Sequence, residues 1–260
     1  MPVRVRPQAV FASRQNLRHL TLFTDSGACG ANSMNLGDSR AGSVSGPLDR
    51  EGMSGERLQV ENLHLWRGDR HVLKGVCFSL EAGGCLEVTG PNGSGKTSLL
   101  RTLCGLMYPE EGRVLWGGQD VRSDLRSFHA SLAYLGHEAP LKADLSAREN
   151  LHFWIGVRRR VSDAELDEVL ARVGARSWCE RLVRTLSAGQ KRRVALAGLA
   201  LLAVPLWLLD EPTTNLDSEG RRLVGGLIAE QRARGGTVVA AVHHDLPVEV
   251  GGAQRLELAA

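Results

Sequence analysis

The segment GPNGSGKT at Gly90–Thr97 constrains the fold of this chain more than any other, because it satisfies the phosphate-loop pattern G-x-x-x-x-G-K-[ST]. The apolar run Cys85–Thr89 before it predicts a strand, and residues 98–106 after it predict a helix. Glycines let successive N–H groups point at one anion, and the helix N-terminus adds its positive end. The segment therefore predicts a nucleoside triphosphate site, with Lys96 on the β- and γ-phosphates and Thr97 on Mg²⁺.

A second predicted anion site lies further along the chain, where Leu186–Gln190 reads LSAGQ. Ser187 and Gln190 have the spacing of a capping box, which opens a helix whose first N–H groups are free to bind an anion. Taken alone, the motif is equally consistent with a well-capped buried helix. One chain rarely needs two anion sites for one triphosphate.

Acidic residues follow a predicted buried strand, since Leu206–Leu209 is apolar and Asp210 and Glu211 come directly after it. A carboxylate at the end of a buried strand is costly unless it meets a cation, so we expect Asp210 to hold Mg²⁺ through water. Glu211 extends beyond the strand and is the candidate general base for an attacking water. His243 follows another apolar run, Thr237–Val242, and is placed to hydrogen-bond the γ-phosphate.

The remaining segments predict an α/β fold. Leu58–Leu65 and Val76–Leu80 are strand-like, whereas Val161–Val173 has helical periodicity and a capping box at Ser162 and Glu165. The apolar fraction of 43% suffices for a sizeable core, and a net charge of +3 is too small to argue for nucleic acid. The longest uncharged run is broken by a proline and is shorter than the roughly 20 residues that a membrane-spanning helix needs.

The cysteines are scattered singly, so neither a zinc site nor a disulfide framework is indicated. Cys77, Cys85 and Cys104 lie in apolar runs, and we expect all three to be buried free thiols. Such thiols fit a reducing compartment.

The first 55 residues differ from the rest. Met1–Thr24 contains four arginines and no acid, and Asp25–Gly55 is rich in Gly and Ser. We interpret residues 1–55 as a flexible extension preceding a folded domain at residues 56–260. Two interpretations of the arginines stay open: an organellar transit peptide, or a stretch upstream of a true start at Met53.

The order of these motifs resembles the nucleotide-binding domain of ATP-binding cassette (ABC) transporters, from Leu58 to about Leu258. The resemblance implies an ABC ATPase fold: a mainly parallel P-loop core, an antiparallel β subdomain and a small helical insertion at about 138–180. It also implies that two copies dimerise head to tail around ATP and Mg²⁺, and that each LSAGQ segment contacts the nucleotide held by the other copy.

The resemblance also implies roles for individual residues. The implied ATP-binding residues are Gly90, Pro91, Asn92, Gly93, Ser94, Gly95, Lys96, Thr97 and Ser98. The signature motif, which contacts the ATP of the other copy, is Leu186, Ser187, Ala188, Gly189 and Gln190. The implied catalytic residues are Glu211 and His243, the implied Mg²⁺ ligands are Thr97, Asp210 and Glu138, and Asp217 belongs to the D-loop at Asn215–Asp217.

Two positions depart from the family pattern. Tyr134–Glu138 reads YLGHE where a glutamine is usual, so Glu138 is the candidate oxygen ligand in its place. Trp66 is the aromatic residue nearest to the position that stacks on adenine, but it lies one place off the usual alignment. The alternative for Trp66 is packing against the edge of the sheet.

Further stretches are similar to the ATPases of cytochrome c maturation transporters, namely Tyr134–His137, Arg148–Phe153 and Lys191–Arg193. This similarity implies an integral membrane partner, a role in haem export or in the release of haem from its chaperone, and a place on the cytoplasmic face of the inner membrane. A transit peptide would instead imply mitochondria. No nucleic-acid partner is expected.

An apolar group in the predicted insertion, Leu151 and Phe153–Ile155, is a candidate contact for the membrane subunit, and the alternative is packing inside the insertion. The competing functions are another ABC exporter and a soluble ABC ATPase of translation or DNA repair. Soluble members usually carry two cassettes in one chain or a long coiled-coil insertion, which this chain lacks. A P-loop kinase or GTPase would not need LSAGQ.

Overall fold

A computed structural model describes residues 56–243, 246–247 and 252–259 of the chain. The predicted extension at residues 1–55 and the alternative start at Met53 lie outside the described residues. The strands are β1 (Leu58–Arg67), β2 (Arg70–Leu80), β3 (Cys85–Thr89), β4 (Glu111–Trp116), β5 (Gln119–Asp120), β6 (Leu132–Leu135), β7 (Leu206–Asp210), β8 (Thr237–Ala241) and β9 (Gln254–Glu257). The helices are α1 (Lys96–Leu103), α2 (Leu125–Ala130), α3 (Ala147–Gly156), α4 (Asp163–Arg172), α5 (Ala188–Leu202) and α6 (Ser218–Ala233).

The parallel sheet has the strand order β6-β7-β8-β3-β9 and confirms the predicted α/β class. Its central strands are continuous apolar runs because both faces are covered. Along β7, Trp207 and Leu209 pack into the core formed with α3–α6, whereas Leu206 and Leu208 pack into the core formed with α1 and the second sheet. The alternation of side chains along a strand thus joins two apolar layers through one sheet.

The second sheet is antiparallel, with the order β2-β1-β4-β5, and it is the predicted β subdomain. One of its faces covers α1, and the other faces outward. Cys77 lies on the outward face and is exposed, so the prediction that it is buried was wrong. Cys85 and Cys104 are buried as expected, and burial raises the pKa of each thiol to about 12.

Capping boxes set the starts of three helices. Ser162 begins α4 and Ser187 begins α5, each with the partner predicted three residues on, and Ser146 with Glu149 does the same for α3. Helix α1 ends earlier than predicted, because Gly105 adopts a left-handed φ of 73° and its N–H returns to the carbonyl of Thr102.

Helices α3 and α4 lie between β6 and α5, within the region predicted to be the helical insertion. Ion pairs hold this region together: Arg148 on α3 bonds both Asp167 on α4 and Glu180 at 2.6 Å. None of the described helices combines the length and the apolar character needed to cross a bilayer.

Candidate functional site

The sequence-predicted site residues converge at one edge of the parallel sheet. The phosphate loop follows β3, Glu211 follows β7 and His243 follows β8. Because the strands are parallel, their carboxyl ends meet at the same edge, which is where ligands bind in open α/β sheets. The loop after β6, beginning with Gly136, leaves from this edge as well.

The phosphate loop has the backbone that its glycines predict. Gly90 has a φ of 138°, and a Cβ there would lie 2.4 Å from the carbonyl oxygen of Leu258. Gly95 caps α1 with a φ of 104°, and a Cβ there would lie 2.7 Å from Val72 Cγ1. Lys96 donates from Nζ to the carbonyls of Gly90 and Pro91, at 2.7 and 3.1 Å. The lysine therefore spans the loop, and its ammonium group lies where an anion would bind.

A cavity of about 360 Å³ opens over this loop. It is lined by residues of the loop, of the antiparallel sheet and of the acidic segment: Arg67, Arg70, Val72, Asn92, Gly93, Gly95, Lys96, Thr97, Ser98, Glu211 and His243. The cavity thus contains the predicted catalytic pair and most of the predicted phosphate-binding residues.

The arrangement of Asp210 fits a bound magnesium ion. Asp210 is buried, its pKa is raised by burial, and it hydrogen-bonds the hydroxyl of Thr97. Its oxygen Oδ2 has no hydrogen-bond partner among the described residues, and neither does the buried hydroxyl of Ser94 in the loop. No group of three or more His, Cys, Asp and Glu side chains in the described part could hold a metal alone, so Mg²⁺ would need phosphate oxygens as further ligands.

Glu211 lies between two histidines. Its Oε1 is 2.6 Å from Nε2 of His243, and its Oε2 is 4.0 Å from Nε2 of His137 and accepts a hydrogen bond from Thr214 at 3.1 Å. The backbone of Glu211 is left-handed, with a φ of 50°, although it is not a glycine. Such a conformation costs about 1–3 kcal/mol and persists only when the surroundings hold it.

The signature motif is well formed but stands apart from this cavity. Ser187 Oγ accepts from the N–H of Gln190 at 3.2 Å, and Gln190 Oε1 accepts from the N–H of Ser187 at 2.9 Å. Ser187 and Ala188 are exposed, and none of residues 186–190 lines the cavity. The motif is thus available to a ligand held by another molecule.

The D-loop is fixed against α5. Asp217 caps α6 through the N–H of Gly220, and this bond, together with Arg193 at 3.0 Å, lowers the pKa of Asp217. Gly189 lies so close to the carbonyl of Asn215 that a Cβ would come within 2.7 Å of it. Signature motif and D-loop therefore form one packed unit.

Two residues near Glu211 were missed by the sequence reasoning. His137 lies beside the carboxylate, whereas its neighbour Glu138 is exposed and does not line the cavity, so the role of Glu138 as a magnesium ligand stays a prediction. Arg192 is buried and donates hydrogen bonds to backbone carbonyls on both sides of Glu211. The tetrapeptide YLGH was the one signal in the sequence for His137.

Trp66, the aromatic residue nearest to the adenine-stacking position, does not line the cavity. Trp66 pairs with His71 across β1 and β2 and stacks on its ring at 3.7 Å between centroids, whereas Arg67 and Arg70 form the next pair and line the cavity. Side chains alternate along a strand, so Trp66 lies on the face opposite to the cavity. This supports the alternative of packing on the sheet and makes Arg67 the candidate to stack on the base.

Substituting Arg67 with alanine is expected to weaken ATP binding about 2- to 5-fold, since stacking of a guanidinium on an exposed aromatic ring contributes about 0.5–1 kcal/mol. Calorimetric titration of the full-length chain with ATP measures this. Trp66→Leu is the matched control on the other face and should leave the affinity unchanged. If Trp66→Leu lowers the affinity for ATP and Arg67→Ala does not, the tryptophan and not the arginine stacks on adenine.

The apolar group predicted to contact a membrane subunit is mostly internal. Leu151 and Ile155 are fully buried, and Trp154 packs closely over Gly198 of α5. Phe153 is 48% exposed, with Lys142 Nζ 4.2 Å above its ring, and Val157 on the next turn is 42% exposed. For Leu151 and Ile155 the alternative of packing inside the insertion therefore holds, because helical periodicity turns them inward. Phe153 on α3 and Val157 at its C-terminal end are exposed apolar residues.

Comparisons with known proteins agree with this geometry. A family model described as ABC transporter matches residues 73–214. A curated relative from Methylococcus capsulatus, named cytochrome c biogenesis ATP-binding export protein CcmA, is 46% identical over 197 residues, which is 75% of this chain and 95% of the relative. A relative of the same name from Paramagnetospirillum magneticum is 44% identical over 210 residues, which is 79% of this chain and 95% of the relative.

Solved structures extend the similarity. A structure titled as the ATP binding subunit of an ABC transporter has a TM-score of 0.65 at 25% identity and covers 72% of this chain and 79% of its own. A putative ABC transporter ATP-binding protein from Pyrococcus furiosus has a TM-score of 0.68 and covers 78% of this chain and 97% of its own. Its identity is 22%, so it supports the fold alone.

Proposed function

The chain belongs to the ABC transporter family, and on that premise we propose that it is the ATP-binding and ATP-hydrolysing subunit of a CcmAB complex for cytochrome c biogenesis. The observation that carries the hydrolytic part is the placement of Glu211 and His243, 2.6 Å apart, on the wall of the cavity over the phosphate loop. The part concerning cytochrome c rests on the identity to the two CcmA relatives over nearly their whole length.

In the proposed mechanism, the loop Gly90–Thr97 and the N-terminus of α1 hold the phosphates, and Lys96 turns its ammonium from the loop carbonyls toward them. Mg²⁺, when bound with ATP, neutralises charge on the β- and γ-phosphates, and Thr97 with Asp210 would hold it. The orphaned Oδ2 of Asp210 supports this assignment. The guanidinium of Arg67 would stack on the adenine of the nucleotide.

The residues around Glu211 then act on water. The carboxylate of Glu211 accepts the proton of the attacking water, and the hydroxyl of Thr214 fixes the carboxylate from one side. His243 lies against the other carboxylate oxygen and lines the cavity, from which its ring would donate a hydrogen bond to the γ-phosphate. His137 provides a second imidazole at the same carboxylate. General-base assistance of this kind contributes typically about 10²–10⁴ in rate.

A second copy of the chain completes the site. Ser187 and the free N–H groups at the start of α5 are exposed and lie outside the chain's own cavity. In a head-to-tail pair they would bind the γ-phosphate held by the partner's loop, adding backbone donors to those of the cavity. Two copies with two ATP molecules are therefore the proposed active form.

The proposed membrane partner is an integral, CcmB-like subunit, and the proposed cargo is haem, either exported or released from its chaperone. The chain would lie on the cytoplasmic face of the inner membrane, held there by that subunit. The exposed Phe153 on α3 and Val157 at the C-terminal end of α3 are the apolar residues that we propose to contact it.

The runner-up is a soluble ABC ATPase, and one experiment separates the two. Deleting the gene should abolish haem staining of c-type cytochromes, and a plasmid copy of the full-length chain should restore it and copurify with the membrane subunit. The Phe153→Asp variant should neither copurify with the membrane subunit nor restore haem staining. The Phe153→Leu variant keeps the apolar contact and should do both. Normal c-type cytochromes in the deletion strain, or a tagged chain found only with ribosomes, would contradict the proposal.

A further inference from the structure

The proposed mechanism leaves the buried environment of Arg192 unexplained. It lies near the start of α5, two residues after the signature motif, and is 5% exposed. Its guanidinium donates to four backbone carbonyls: Asp210 and Glu211 at 2.7 Å, Gly136 at 2.8 Å and Pro212 at 3.2 Å. Burial lowers its pKa to about 10. Burying a cation that is paired with neutral carbonyls and with no carboxylate costs free energy, which suggests that these contacts have a function.

The acceptors of Arg192 belong to two separate loops. Asp210, Glu211 and Pro212 form the turn after β7, and Gly136 begins the turn after β6, one residue before His137. A guanidinium carries five donors in a rigid plane, which lets one side chain hold both turns at fixed spacing, whereas a lysine ammonium cannot. Arg192 thus connects the start of α5 to the turn that carries Glu211 and to the turn that carries His137.

The backbone of Glu211 supplies the second argument. Its left-handed φ of 50° is strained. The N–H of Glu211 donates to the carbonyl of Ala241 at 2.9 Å, and the carbonyl of Glu211 accepts from Arg192. These two bonds oppose the relaxation of Glu211 into an ordinary conformation. Removing the guanidinium would free the carbonyl and let the carboxylate leave its place between His243 and His137.

We propose that Arg192 is a positioning residue for hydrolysis: it holds Glu211 in its strained conformation and links the signature helix to the turns that carry Glu211 and His137. This inference rests on the proposed function, since it concerns the same hydrolytic site. It implies that binding of a second copy at Ser187 affects the position of Glu211 in the same chain through the side chain of Arg192.

The test compares Arg192→Met with Arg158→Met in the full-length chain. Arg158 is the control, because it also donates to two backbone carbonyls, those of Leu132 and His129, but is more exposed and its bonds lie away from Glu211. Arg192→Met should lower the kcat for ATP about 100-fold, the loss that a displacement of about 1 Å causes, while KM and the Kd for ATP stay within threefold. Arg158→Met should lower Tm and leave kcat unchanged.

A double-mutant cycle gives a readout that a merely structural role would not move. In the Glu211→Gln background, Arg192→Met should cause no further loss of kcat, because a residue that acts through Glu211 has nothing left to position. If Arg192→Met fails to fold, Arg192→Lys carries the same cycle and should give an intermediate kcat at unchanged KM. A multiplied loss in the double mutant, or a kcat within threefold of the wild type, would overturn the inference. A wild-type chain that binds no ATP would instead contradict the proposed function.

Discussion

Lys96→Ala is expected to weaken ATP binding about 100-fold, because truncating one partner of a buried charge pair costs about 2–5 kcal/mol. Lys96 is 7% exposed and bonds the carbonyls of Gly90 and Pro91, so it carries a full charge into the concave side of the loop and closes the loop on itself. Alanine removes both the charge for the phosphates and the tie across the loop. Calorimetric titration of the full-length chain with ATP in the presence of Mg²⁺ measures the change.

The matched control for this loss is Lys74→Ala. Lys74 is exposed on β2, so its removal changes the net charge equally without touching the cavity. It should leave the affinity for ATP within a factor of about two, since Lys74 does not line the cavity and solvent and salt screen an exposed charge. Equal affinities of Lys96→Ala and the wild type would mean that the loop binds no triphosphate, and the proposed function would fail with it.

The parts of this site that the sequence predicts are those set by local chemistry. The capping box of Ser187 and Gln190 needs only two residues three positions apart, and it starts α5 where predicted. The glycines of the phosphate loop are required by its backbone, and the buried run before Asp210 ends at the edge of the sheet. In each case the feature is determined by residues that lie close together in the chain, so periodicity and spacing suffice to predict it.

What the sequence does not predict depends on contacts between distant segments. The guanidinium of Arg192 meets Gly136, which is 56 positions away in the chain, and His137 reaches Glu211 only because β6 and β7 are neighbours. The alternatives for Trp66 depend on register instead, since an offset of one residue in a strand moves a side chain to the opposite face. Arg67, one place on, lines the cavity.

The apolar group of α3 shows the same limit on a helix. Leu151 and Ile155 are four residues apart and share the buried face, whereas Phe153 points outward. Composition alone groups these residues as one apolar surface, and only their helical spacing separates core from surface.

Glu211→Gln is expected to lower the kcat for ATP by about 10²–10⁴ while leaving the Kd for ATP within a few-fold, because a carboxamide keeps the shape of the side chain but cannot accept the proton of water. The carboxamide is also unable to pair with His243 as a carboxylate does, so the loss falls on the hydrolytic step. Since ATP favours the closed pair and hydrolysis removes the contacts that favour it, the variant should accumulate as a dimer with ATP. Light scattering coupled to size exclusion, with and without ATP and Mg²⁺, measures the population.

The control for this variant is Glu168→Gln, which makes the same change on the exposed face of α4 and should hydrolyse ATP as the wild type does. Combining Glu211→Gln with Ser187→Arg tests the second copy, because a bulky side chain at the exposed cap would block the partner's nucleotide while leaving the chain's own cavity intact. The dimer should then disappear although ATP still binds. A Glu211→Gln chain that turns over ATP normally, or that stays a single subunit when loaded with ATP, would contradict the proposal. The mechanism requires each ATP to be bound by the phosphate loop of one copy and by the signature motif of the other.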